Sequence, residues 1–136
     1  MAQLIASGKS FQVDRFVVGD QGHDPIDLTI ALTPDPAKAG CYCSPESLTV
    51  AGGCSYEGLI TNISFNSTTC PIFNIVLAKG QATGVVTSIC LVGTVVYSPI
   101  PNDPELGTRF SFAVANFPYN IKIPGARYEY NLSIQL

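Results

Sequence analysis

Five cysteines offer the most chemistry in this chain: Cys41 and Cys43 one residue apart, then Cys54, Cys70 and Cys90 singly. Thiolates bind zinc, act as nucleophiles or pair as disulfides. A structural zinc site draws its ligands in close pairs such as C-x2–4-C, and the spacing here supplies no such knuckle. A nucleophilic cysteine wants a histidine base. The chain has one histidine, His23, in the loop "GDQGHD" with Asp20 and Asp24, and nothing in the sequence sets that loop beside a cysteine. The loop itself offers an acid–base pair or metal ligands. It lacks the spacing of a metalloprotease or EF-hand motif, and its Gly and Asp residues suit a turn between strands. No G-x-S-x-G, Walker A, G-x-G-x-x-G or H-E-x-x-H motif occurs. The expectation is a protein that is not an enzyme and carries no cofactor or metal.

Two roles then remain for the cysteines. Free cysteine is commonly a small buried hydrophobe. That suits Cys90 in the apolar "SICLVG", and Cys70, so these two are expected as core or intrachain cysteines. Cys41, Cys43 and Cys54 stand in Gly-, Ser- and Pro-rich sequence where thiols are accessible. An odd total leaves at least one thiol for a bond between chains, and these three are the interchain candidates. A reducing cytosol opposes such a bond, which would form once the protein leaves the cell.

The elements that must position these residues are strands. The chain has 136 residues, enough for one domain spanning 1–136. It is 46% hydrophobic and 12% charged, where about 25% charged is usual, and its mean hydropathy is +0.28. No apolar run reaches the roughly 18 residues of a membrane span. Apolar surface in excess of one core points to self-association or packing on other proteins. With seven Lys and Arg and a net charge of −3, no cationic cluster exists for nucleic acid. The start "MAQLIASGKSFQ" does not read as a signal peptide, so synthesis in a cytoplasm is expected and the sequons at Asn62, Asn66 and Asn131 read as chance.

Period-2 alternation marks the strands. "IDLTIALT" aligns Ile26, Leu28, Ile30 and Leu32; "LITNISF" aligns Leu59, Ile63 and Phe65; "TRFSFAVAN" aligns Phe110, Phe112 and Val114. "RYEYNLSIQL" sets Tyr128, Tyr130, Leu132, Ile134 and Leu136 inward, an alternation that runs to the last residue. "IFNIVLA" and "VVTSICLVGTVVY" are nearly apolar throughout and read as strands covered on both faces. "SFQVDRFVV" changes its apolar face between Val13 and Phe16, which predicts a bulge near Asp14 and Arg15. "SPIPNDPELG" must be a loop. A short N-terminal helical turn in "AQLIASGK" and at most one turn in "DPAKAG" complete the reading. The expected fold is all-β, a mainly antiparallel sandwich or open barrel of seven to nine strands.

Within "LIASGKSFQVDRFVVGDQG", Leu4 to Gly22, the chain resembles the start of phage tail-collar fibre proteins, whose N-terminal domain ties a tail fibre to the baseplate. Ala6, Gly8 and Phe11 fit the end of that family's short helix; Val13, Phe16, Val17, Val18, Gly19 and Asp20 fit its first strand and turn. The later "ISFN…IFNIVLAKGQATGVVTSICLVGTVVY" is similar to the family's central β region. The resemblance implies a structural virion protein of a bacteriophage tail, assembled in the host cytoplasm, trimeric, and docked on other tail or baseplate proteins. The loop from Cys41 to Cys54 is the expected docking surface, with a disulfide as its covalent lock. A head decoration or neck protein, and a β-sandwich carbohydrate-binding module using some of the six tyrosines, are the alternatives.

Overall fold

The computed structural model describes residues 8–35 and 56–134. The expected N-terminal helical turn, the "DPAKAG" turn, Cys41, Cys43, Cys54 and Leu136 lie outside the described residues. Within them the protein is all-β, with nine strands: β1 (Ser10–Gly19), β2 (Tyr56–Leu59), β3 (Asn62–Ser67), β4 (Cys70–Leu77), β5 (Gly84–Val85), β6 (Ser88–Tyr97), β7 (Arg109–Asn116), β8 (Ile121–Lys122) and β9 (Tyr128–Ser133). They form a four-stranded sheet in the order β2-β1-β6-β7, a three-stranded sheet β3-β4-β9, and the small pair β5-β8. Every pairing is antiparallel.

The two larger sheets share one core. Phe16 and Val18 of β1, Ile89 and Leu91 of β6, and Phe73, Ile75 and Leu77 of β4 are all buried in a single cluster. Tyr128, Tyr130, Leu132 and Ile134 pack against it from the β9 side, so the alternation of the last strand is seen as expected. The centre of β6 is buried on both faces, Ile89 and Leu91 towards the other sheet and Cys90 away from it. β4 differs from its expectation. Pro71, Phe73, Ile75 and Leu77 are buried, while Ile72, Asn74 and Val76 on the opposite face stay half-exposed. Asn74 explains part of this: its amide donates to Glu129 at 2.8 Å and to Asn131 at 2.9 Å, a polar ladder along the outer face.

The bulge falls where the face change put it. Registration of β1 on β6 slips between Val13 and Arg15, which lets Phe11 and Val13 on one side of the slip, and Phe16 and Val18 on the other, share one face. The Asp14 carbonyl, freed from the ladder, accepts the Ile60 N–H at 2.9 Å, and its carboxylate accepts the Thr94 hydroxyl at 3.3 Å. That anchor sits where the chain leaves the first sheet at Leu59 and enters the second at Asn62. "LITNISF" is therefore two strands in two sheets, not one.

A second slip, between Leu91 and Val92, makes Phe112 the extra residue of β7. Phe110 and Phe112 both meet Phe11, with ring centroids 5.3 and 5.7 Å apart. Beyond the slip Ala113 and Ala115 oppose Leu91 and Ile89, and Val114 opposes Cys90 on the other face, so Val114 does not share the face of Phe110 as expected.

"IDLTIALT" is not a strand. Only an isolated bridge, His23 to Ala31, occurs there. The Asp24 carboxylate accepts the N–H groups of Ile26 (2.8 Å) and Asp27 (3.0 Å), and Asp27 accepts the N–H and hydroxyl of Thr29 (3.1 and 2.6 Å). Side-chain oxygens that capture neighbouring backbone donors compete with a ladder and win here. Ile26 ends 95% exposed, with Leu28 and Ile30 also exposed.

Candidate functional site

The loop "GDQGHD" is stitched to the sheet. The Gly22 N–H donates to the Thr87 hydroxyl at 2.9 Å, and His23 Nδ1 lies 3.2 Å from the same oxygen. The imidazole meets the Tyr119 ring edge-on, centroids 5.1 Å apart. A Cβ on Gly22 would sit 2.0 Å from the Thr87 carbonyl oxygen, so only glycine permits this approach. Hydrogen bonds from the Asp27 and Ile26 backbone hold the Asp24 carboxyl below the usual carboxylate range. His23 and Asp24 are thus committed to fixing loops. Among the described residues no group of three His, Cys, Asp or Glu side chains could hold a metal ion.

Cys70 and Cys90 are free thiols. Cys90 is buried, its Sγ directed to the Leu91 carbonyl at 3.7 Å, and burial pushes its thiol pKa up. A thiol so placed is a poor nucleophile. Cys70 is half-buried at the start of β4. The structure does not bring these two together in a disulfide, and the three interchain candidates fall outside the described residues.

One charged cluster has a structural task. Lys9 Nζ lies 2.9 Å from Asp103 and 2.6 Å from Glu105. Asp103 also accepts the Ser98 hydroxyl at 2.6 Å and the Glu105 N–H at 3.0 Å. Led by the Ser98 hydrogen bond, then the Glu105 amide and Lys9, these partners lower the Asp103 pKa to about 2. The proline-rich loop after β6 is thereby clasped to the start of β1. Lys122 is a buried cation: wholly covered, it donates to the Ala78 carbonyl at 2.9 Å and lies 5.9 Å from the Tyr128 ring centroid.

The features that remain unabsorbed are apolar and lie at the sheet edges. β2 and β3 are the edges of their sheets on one side, linked by two residues. Every residue of β3 is exposed, and none is charged. Ile63 and Phe65 share the face of Phe73 and Pro71, yet are 42% and 68% exposed. Leu59, at the end of β2, is 62% exposed. On the other side β7 and β9 are the edges. Between them opens a cavity of about 310 Å³, walled by Ile89, Leu91, Ala113, Ala115, Leu132 and Ile134, with Asn131 and Ser133 at its β9 lip. Among the described residues no charged one lines it.

The alternation of "LITNISF" puts Ile63 and Phe65 on one face, as the structure has them, but Leu59 belongs to the other sheet. The only signal of their exposure was the low charge content of the whole chain. No protein-family model, curated protein or solved structure matches this chain.

Proposed function

We propose that this protein is a structural subunit that works by associating with copies of itself and with other proteins, as a part of a bacteriophage tail, either a fibre or the domain that attaches a fibre to the baseplate. One observation carries the reading. Ile63 and Phe65 stand exposed side by side on one face of β3, an edge strand without a charge, and Leu59 at the end of β2 is exposed as well. Exposed apolar patches of that sort mark association sites. The Leu4–Gly22 resemblance supplies the tail assignment, and the mechanism is mechanical: apolar faces close on one another and the assembly docks as a rigid β unit.

Sedimentation velocity of the purified chain, at micromolar concentration and with reductant present, tests the first part. A species larger than the 14.4 kDa chain is expected. A monomer at every concentration tried overturns the reading. Antibody labelling of purified particles tests the second part: label on the tail supports it, and label confined to the capsid overturns it.

A further inference from the structure

The two open edges of the sandwich differ in kind. One offers β3, an edge strand among the described residues, with an aromatic and an aliphatic side chain standing out from its core-side face. The other offers a vacant apolar slot between β7 and β9. We infer that β3 of one copy adds to the β9 edge of the next, with Phe65 and Ile63 entering the groove, so that the chain assembles head to tail. This rests on the self-associating reading above and specifies its interface.

Three matches single out a second copy as the occupant. The first is length: β3 and β9 both have six residues, each about 20 Å of strand, and the regular stretch of β3 from Asn62 to Phe65 fits within the β9 edge. Addition of a strand to an exposed edge is an established mode of recognition. The second is the pattern of faces. If β3 extends the β9 edge with Ile63 and Phe65 towards the groove, they meet Leu132 and the small Ala113 and Ala115. Asn62 and Ser64 then fall on the outer face beside Asn131 and Ser133. The same outer face already carries Asn62, Asn74 and Asn131 in one register row, so the incoming strand lengthens a polar row the fold has begun. The third is charge. Among the described residues neither β3 nor the groove lining carries any, so closure strands none of these as an ion.

Natural edges are usually protected by charge, proline or distortion. On β3 the register shift between Phe65 and Ser67 distorts one end, and the stretch from Asn62 to Phe65 stays regular. Leu59 adds apolar area on the same side of the molecule, towards the roughly 800 Å² per partner of a stable interface. An interface between unlike edges is heterologous, so it builds a closed ring or an open filament and not a twofold dimer.

The test uses two variants of the full chain, Phe65→Asp, which spoils the inserted strand, and Ala115→Lys, which fills and charges the groove. Each alone should sediment as a monomer, with at least a tenfold weaker self-association. Mixed in equal amounts they should form a 1:1 dimer, because the first keeps an intact groove and the second an intact β3. Recovery on mixing cannot come from an unfolded variant; should Phe65→Asp fail to fold, Ile63→Asp on the same face of the strand replaces it. Wild type that associates while both variants still associate overturns this interface and leaves the self-associating reading standing. Association lost with Phe65→Asp but kept with Ala115→Lys makes β3 pair with another β3 and also overturns it. A monomeric wild type removes both readings.

Discussion

Ile63 and Phe73 sit opposite each other in adjacent strands, on the same face of the same sheet, yet Phe73 is 4% exposed and Ile63 42%. One strand spacing, about 4.8 Å, separates the centre of this sandwich from its edge. At the centre β1 and β6 supply Phe16, Val18, Ile89 and Leu91 as a lid over β4. At β3 the cover ends. The lesson is that alternation tells which face of a strand is apolar, and a second sheet decides whether that face becomes core or contact surface.

The largest expected effect lies at the centre. Ile75→Ala removes a wholly buried side chain between the sheets and should cost about 2–5 kcal/mol in urea unfolding. A loss no greater than that of a surface substitution would show that the centre is not the stabilising core. The clasp should give a smaller effect that depends on pH. The Asp103 pKa is lowered from 3.8 to about 2 in the folded protein. Its carboxylate therefore stabilises the fold above the unfolded value, and that contribution is lost as pH falls through the folded one. Wild type should lose thermal stability between these values, and Asp103→Asn should flatten that part of the curve. An unchanged acid limb would mean that the clasp does not couple to folding. The smallest effect belongs to the exposed loop. Ile26→Ser should leave monomer stability within about 0.5 kcal/mol, checked by thermal unfolding in dilute solution. A larger loss would place Ile26 in a core and blur the contrast between covered and open regions.

Much of the fold was legible in the residues. The alternation of "RYEYNLS" gives β9 and its inward tyrosines. The unbroken apolar run "SICLV" gives the doubly buried centre of β6. The face change across Asp14 and Arg15 gives the bulge, because a slip of one residue is the only way to keep both halves of β1 on one core. The candidate site was far less legible. The sequence pointed to cysteine loops and to a lone histidine, and the structure points to the edges, since edge or centre is a property of which strands are neighbours. Strand neighbours here are distant in sequence, as β1 beside β6 and β4 beside β9 show.

By itself the sequence determined that this chain is all-β, low in charge, and richer in apolar side chains than one small core requires, because alternation and composition are local properties of the covalent chain. Tertiary structure alone decided the rest. It split "LITNISF" between two sheets, shifted Val114 off the face of Phe110, and left Ile63 and Phe65 uncovered. The physical reason is common to all three: each outcome depends on what packs or hydrogen-bonds against the segment, and no spacing within the segment encodes its neighbour.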